Sequence, residues 1–213
     1  MAIVKSGPYL GFSGTIDGIT YYQVNGKTVA KKKNKKSTKP ATPLQRAYYA
    51  ETTMVSKFLR PLKEFTDVGY RLEAKSIRQN ANNALVSYTR HNALEGLLPD
   101  RKISLSKLLV SKGKLPPAIE SSAMMTEKGL AFRWSTEIIP KRSHYSDQVM
   151  MLAYFTELKE ACYTLAGAQR SAGTDLLQLA GIKKGYTGEV YISFIKNDHT
   201  EIADSVYLGQ FNW

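Results

Sequence analysis

Seven lysines lie within the sixteen residues "NGKTVAKKKNKKSTKP" (residues 25–40), and the stretch contains no acidic residue. Each ammonium group could neutralise one phosphate of a nucleic acid and release its counterions, which gives salt-dependent binding without sequence preference. The same charges could instead contact an acidic protein surface, or lie in solvent as part of a linker. The candidate residues for contact with a partner or a polyanion are Lys27, Lys31, Lys32, Lys33, Lys35, Lys36 and Lys39.

The composition of this stretch limits what it can recognise. It has no arginine and no interleaved aromatic residue, so neither base contacts nor stacking on single-stranded bases is predicted. Gly26-Lys27-Thr28 is similar to the end of a phosphate-binding loop, but the first glycine of that motif would fall at Tyr21. That motif also needs a following helix, whereas a strand-like run follows here. We therefore expect no nucleotide-binding loop.

Other residue types capable of chemistry are few and scattered. His91, His144 and His199 are far apart in sequence, and with the single cysteine, Cys162, they form no metal-ligand spacing. No Gly-x-Ser-x-Gly nucleophile motif is present. The sequence therefore predicts no metal, no cofactor and no catalytic residue. An enzyme would be indicated by a deep pocket with converging polar groups, which nothing in the sequence predicts.

Positive charge is concentrated at the front of the chain. Of the net charge of +12, residues 1–40 contribute +7 (eight Lys, one Asp), residues 41–102 contribute +4 (ten basic, six acidic), and residues 103–213 contribute +1 (twelve basic, eleven acidic). This asymmetry favours a polyanionic partner for the leading segment. The partner could be a nucleic acid, an acidic protein surface or an anionic membrane.

The elements that must position the lysines begin with a predicted β-hairpin. Two β-rich runs, "GITYYQV" and "KTVAKK", flank Asn25-Gly26, and both central residues of the favoured two-residue turn need a positive φ. The residues after it, up to Pro40, are Lys, Pro and small polar residues that form no core. They are predicted to be a linker or an arm.

Two helices and a set of strands are predicted next. Thr42 is expected to cap a helix that starts at Pro43 and is kinked or divided at Pro61, and a second helix is expected from about Arg71 to Leu97. From Ile103 onward, short β-like runs are separated by turn residues, which is typical of an antiparallel sandwich. The runs are "ISLSKLLVS", "LAFRWST", "DQVMMLAYF", "EACYTLAGAQ", "GEVYISFIK" and "DSVYLGQF". In two of them, "AFRW" and "VYISF", the alternation predicts half-buried strands.

Three separated segments carry a resemblance to a known family. They are "GFSGTIDGITYYQVNGKTVAKKKNKKSTKPATPLQ", "NALVSYTRHNALEGLLPDRKISLSKLLVSKGKL", and the C-terminal runs "LAFRWS", "DQVMMLAYF" and "GEVYISFIKNDHTEIADSVYLGQF". The chain resembles an uncharacterised Bacteroidota family of unknown function, also expected in phages of those bacteria. The resemblance implies an immunoglobulin-like C-terminal part and no known activity. The family tends to carry arginine in the basic stretch, where this chain has lysine, which weakens any bidentate phosphate contact.

The sequence thus predicts an α+β protein with a basic hairpin arm and linker (residues 1–40), a helical segment (41–102) and an antiparallel immunoglobulin-like β-sandwich (103–213). We expect a non-enzymatic, oligomeric structural or assembly protein of a phage virion or another repetitive complex, with neighbouring protein subunits as partners. The alternative is a sequence-independent nucleic-acid-binding protein. No secretory signal or membrane span is predicted, so cytoplasmic synthesis and no membrane partner are expected.

Overall fold

The computed structural model describes residues 1–24, 26–34 and 39–213. These residues divide into two compact units, Met1–Thr42 and Pro43–Trp213. Asn25 of the predicted turn, and Lys35 and Lys36 of the predicted contact residues, lie outside the described part of the chain.

The first unit is a four-stranded antiparallel sheet with strand order β1-β4-β3-β2. Its strands are β1 Ala2–Val4, β2 Gly14–Ile16, β3 Ile19–Val24 and β4 Lys27–Lys32. Val24 pairs with Lys27, so β3 and β4 are joined by two residues and the predicted hairpin is confirmed. A second two-residue turn, Asp17-Gly18, has positive φ at both residues (47° and 75°) and joins β2 to β3. Asp-Gly is the same kind of hairpin signal as Asn-Gly, but no turn was predicted at these two residues.

The second unit begins with helices. They are α1 Pro43–Leu59, a 3₁₀ turn Arg60–Leu62, α2 Lys63–Gly69, α3 Arg71–Ser76 and α4 Ala81–Asn92. The predicted start at Pro43 and the division at Pro61 are confirmed. The prediction of one helix from about Arg71 to Leu97 is wrong. The backbone leaves the helical conformation at Arg78, which has φ 54°. The Asn80 side chain then accepts the N–H of Asn83 at 2.7 Å and caps a new helix.

A connector leads from the helices to the sandwich. After the two-residue strands β5 Leu94–Glu95 and β6 Lys102–Ile103 comes a 3₁₀ turn, Leu105–Lys107, where "ISLSKLLVS" was predicted to be a strand. That prediction is wrong, because successive residues of this segment contact different parts of the larger unit instead of pairing with one neighbouring strand. Leu108 and Val110 enter the core, the N–H of Val110 donates to the Ser205 hydroxyl at 2.9 Å, and the Ser111 hydroxyl bonds that of Ser193 at 2.8 Å.

Seven strands then form two antiparallel sheets, with orders β11-β8-β7 and β10-β9-β12-β13. They are β7 Ser122–Thr126, β8 Gly129–Arg133, β9 Gln148–Phe155, β10 Glu160–Thr164, β11 Thr174–Gln178, β12 Thr187–Ile195 and β13 Val206–Asn212. This is an immunoglobulin-like arrangement in which the fourth strand pairs with the third instead of joining the first sheet. The predicted α+β class with an antiparallel sandwich is confirmed, although the sequence analysis missed β7 and β11.

The two long central strands, β9 and β12, are buried on both faces. On β9, Met150 and Leu152 belong to a core shared with the helices, whereas Val149 and Met151 belong to the core between the two sheets. The interpretation of "VYISF" as half-buried is therefore wrong, and such continuous apolar runs are expected of strands covered on both sides. The segment predicted as helical, residues 41–102, supplies this cover from Pro43 onward and belongs to the same compact unit as the sandwich.

A buried carboxylate holds the helical layer together. Glu51 on α1 bonds Arg90 Nε at 3.0 Å and Arg101 Nη1 at 3.3 Å, and only 2% of its side chain is exposed. Because the two arginine side chains are about a third exposed, we expect Glu51→Gln to lower the free energy of unfolding by about 2 kcal/mol, less than for a fully buried pair. Urea denaturation measures this loss.

The matched control is Glu95→Gln, which removes the exposed ion pair between Glu95 and Lys107. Its denaturation midpoint should stay at the wild-type value, because solvent screens exposed pairs. Equal midpoints for the two variants would show that Glu51 does not hold the helices together.

Candidate partner-binding surface

The lysine-rich stretch begins as a regular inner strand. β4 is hydrogen bonded to β1 on one side and to β3 on the other, so Lys27, Lys31 and Lys32 are held by a sheet. The next residue, Lys33, donates its backbone N–H to the carbonyl of Gly18 at 2.7 Å. The sheet thereby fixes the backbone of four of the predicted contact lysines, and their side chains are exposed.

One face of this sheet is packed. Tyr21 stacks on Tyr9 with ring centres 5.1 Å apart and meets Phe12 edge-on at 5.8 Å. On the same face, the buried Thr28 hydroxyl accepts the N–H of Gly11 at 2.8 Å. Gly14 suits this packing, because a Cβ there would lie 2.9 Å from the far end of the Phe12 ring, which would have to shift. Glycines and aromatic residues of the N-terminal stretch therefore form this small core.

The other face carries two of the lysines beside apolar side chains. Lys27, Val29 and Lys31 alternate on β4, and Val29 pairs in register with Ile3 on β1 and Tyr22 on β3. We call this surface the lysine face, defined by Ile3, Tyr22, Val24, Lys27, Val29 and Lys31. Val29 is itself buried, whereas 54% of Ile3 and 44% of Val24 are exposed, so apolar and cationic groups are presented together around it.

The predicted contact lysines are not all brought together. Lys27 and Lys31 share the lysine face, Lys32 points to the opposite face by alternation, and Lys33 follows the strand. Lys39 is described but belongs to no strand or helix. The sequence analysis missed Ile3 and Val24, although "AIV" at residues 2–4 is a short β-prone run that could have indicated an edge strand.

The electrostatics of this unit are one-sided. Asp17 is the only acidic residue of its sequence and lies in the turn between β2 and β3. Within the described ranges, no carboxylate lies in ion-pairing distance of Lys27, Lys31, Lys32 or Lys33. The surface can attract a polyanion or an acidic protein face without first breaking internal pairs.

Two other kinds of site are absent from the described residues. Among residues 1–24, 26–34 and 39–213, no group of three or more His, Cys, Asp or Glu side chains is placed to hold a metal ion. No helix in the same ranges is long and apolar enough to cross a membrane. Cys162 lies on β10 and is half-buried, and burial raises the pKa of its thiol.

Together, these features define an α+β protein with an immunoglobulin-like sandwich, a helical layer and a separate basic N-terminal sheet. A model described as a family of unknown function (DUF6266) matches residues 5–209, and the chain belongs to that family. The predicted membership of an uncharacterised family is therefore confirmed, whereas its occurrence in Bacteroidota and their phages stays a prediction. Comparisons with curated proteins and with solved structures gave no match.

Proposed function

We propose that this chain is a non-enzymatic structural or assembly protein of a repetitive complex, such as a phage virion, and that its N-terminal sheet docks on a neighbouring subunit. The observation that carries the proposal is the separate compact unit of residues 1–42, which contains eight lysines and a single acidic residue. The larger unit is close to neutral from residue 103 onward, so attraction between copies or partners would act through the N-terminal sheet.

The lysine face supports docking on protein in particular. Exposed apolar side chains such as Ile3 and Val24 gain little from phosphates, but they can be buried against another protein while Lys27 and Lys31 pair with its carboxylates. The short edge strands β1 and β2 also leave backbone groups that can pair with another strand. In the larger unit, β13 is an edge strand of seven residues, paired with β12 on one side.

The test is charge reversal of the described lysines in the full chain. In Lys27→Glu/Lys31→Glu/Lys32→Glu/Lys33→Glu, the cationic surface becomes anionic, so we expect assemblies present at low salt to be replaced by monomers. Light scattering at low and high salt measures the mass. Deleting residues 1–42 should give the same monomer with a folded larger unit.

The control reverses four exposed lysines of the larger unit, Lys114, Lys128, Lys141 and Lys183, and therefore removes the same total charge. It should assemble like the wild-type protein. Assembly that survives in the first variant, or is lost equally in both, would refute docking through the lysine face.

Nucleic-acid binding is the second candidate, favoured by the four exposed lysines without a described carboxylate partner. It predicts equal binding to duplexes of unrelated sequence, with an affinity that falls steeply as salt rises. Removing a contacting lysine should reduce the slope of log affinity against log salt by roughly 0.9. Fluorescence anisotropy with two unrelated duplexes measures the affinity for each and its dependence on salt. An affinity that does not depend on salt would exclude binding to the phosphate backbone.

A further inference from the structure

A second concentration of positive charge lies in the larger unit, around a cavity of 670 Å³. The cavity is bounded by the end of α1, the 3₁₀ turn that follows it, and the turn between β9 and β10. Lys57, Arg60 and Lys159 line it, one from each of these elements, and no acidic residue is part of the lining. The elements that meet here are about a hundred residues apart in sequence.

The floor of the cavity is built from two aromatic side chains. Tyr154 is buried, its hydroxyl donates to the carbonyl of Phe58 at 2.9 Å, and its ring meets that of Phe58 edge-on at 5.1 Å. Burial raises the pKa of Tyr154, so the hydroxyl stays protonated and keeps this bond. The Phe58 ring is half-buried and forms part of the wall. The floor is therefore fixed before any ligand arrives.

The three cations are available to a ligand. In the described part of the chain, none of them forms an ion pair, whereas six other cations of this unit do. Glu157 and Glu160 are close to Lys159 in sequence, but neither lines the cavity. The nearby Glu64 accepts the hydroxyl of Tyr163. Three unpaired cations around one concave surface suit a group with two or more negative charges.

We propose that this cavity binds the phosphate groups of a nucleotide, with its base against Phe58. The guanidinium of Arg60 can form two parallel bonds to phosphate oxygens, and Lys57 and Lys159 add charge on either side. The volume lies in the range of small-molecule sites and leaves room for the base beyond the phosphates. A flat aromatic base can pack on the exposed part of the phenyl ring, whichever base it is. This site is separate from the lysine face and does not depend on its role.

Lys159 provides a variant that separates binding from folding. It has a positive φ of 56°, a conformation that Asn adopts more readily than Lys. Lys159→Asn should therefore leave the melting temperature unchanged or raise it, while binding weakens about fivefold for the lost charge. A structural role for Lys159 would instead lower the melting temperature.

The experiment uses the full chain and isothermal titration calorimetry with pyrophosphate, adenosine triphosphate, a thymidine octanucleotide and citrate. The cavity variant is Lys57→Gln/Arg60→Gln/Lys159→Asn, and its charge-matched control is Lys114→Gln/Lys128→Gln/Lys183→Gln, at three exposed lysines of the larger unit that do not line the cavity. We expect pyrophosphate and the triphosphate to bind the wild-type protein and the control equally, and to bind the cavity variant about a hundredfold more weakly. Phe58→Leu should weaken the binding of the triphosphate and leave the affinity for pyrophosphate unchanged.

Each other result overturns part or all of the proposal. If neither pyrophosphate nor the triphosphate binds at millimolar concentration, or the control loses as much affinity as the cavity variant, there is no such site. Citrate binding as tight as that of pyrophosphate would exclude phosphate recognition. An unchanged triphosphate affinity in Phe58→Leu would exclude the base contact. Binding of the octanucleotide that is tighter than that of the triphosphate and is lost in the cavity variant would overturn the free nucleotide as ligand in favour of single-stranded nucleic acid.

Discussion

Arg170→Ala is expected to lower the free energy of unfolding by about 3–5 kcal/mol, as is usual when one partner of a buried ion pair is removed. Arg170 and Asp147 are each 1% exposed at the side chain and are joined from Nε to Oδ2 at 3.3 Å. The guanidinium also donates from Nη2 to the carbonyl of Pro116 at 3.1 Å and lies 3.8 Å from the centre of the Phe194 ring. Alanine would leave the Asp147 carboxylate buried without its cation.

Guanidinium denaturation monitored by tryptophan fluorescence measures this loss, because the indole of Trp134 donates to the carbonyl of Arg170 at 2.8 Å. Arg133→Ala, which removes an exposed arginine of β8, is the control and should keep the wild-type midpoint. The double variant Asp147→Ala/Arg170→Ala should lose less than the sum of its single variants, since no charge stays buried alone. A loss below about 1 kcal/mol for Arg170→Ala would contradict a structural role for the pair.

Gly113→Ala is expected to destabilise the larger unit by about 3 kcal/mol, the upper end of the usual range for overpacking. A Cβ at this position would lie 2.0 Å from the carbonyl oxygen of Ile202 and 2.7 Å from its carbon. Both are backbone atoms and cannot rotate away. The connector would have to shift, which would strain the bonds from Gly113 N–H to Asp204 at 2.9 Å and from Leu115 N–H to Ile202 at 3.0 Å.

Gly181→Ala is the control for this substitution. Gly181 has φ 84° with nothing within 4 Å of the added Cβ, so alanine there should cost only about 1 kcal/mol through its backbone conformation. Urea denaturation of both variants separates the steric effect from the conformational one. Equal losses would mean that the connector can move away from Ile202 without cost.

Local signals predicted much of the fold. Proline at 43 and 61 marked where α1 begins and ends, because it fixes φ and lacks a backbone N–H. Asn-Gly placed the β3–β4 hairpin, because these two residues tolerate the positive φ that a two-residue turn needs. The break before α4 was missed since it depends on Asn80 acting as a cap within an otherwise periodic segment. The burial of β9 and β12 on both faces was missed because periodicity cannot show that helices cover the outer side of a sheet.

The candidate surfaces were predictable to different degrees. Side chains along a strand point alternately to its two faces. Once β4 is recognised as a strand, this alternation is enough to place Lys27 and Lys31 on one face. The apolar part of that face depends on the pairing of β1 with β4, which brings Ile3 beside Val29 from the other end of the unit. The cavity lined by Lys57 and Lys159 requires the tertiary packing of α1 on β9, so no local pattern could have indicated it.

The helices share a core with the β10-β9-β12-β13 sheet of the sandwich. This shared core limits how members of the family can exchange segments by recombination. A crossover near residue 102 would separate α1–α4 from β9 and β12. Each fragment would then expose an apolar surface to solvent and tend to aggregate. A crossover between Thr42 and Pro43 falls instead at the boundary between the two compact units. We therefore expect natural chimaeras to join at that point, so that the N-terminal sheet diversifies independently of the body it precedes.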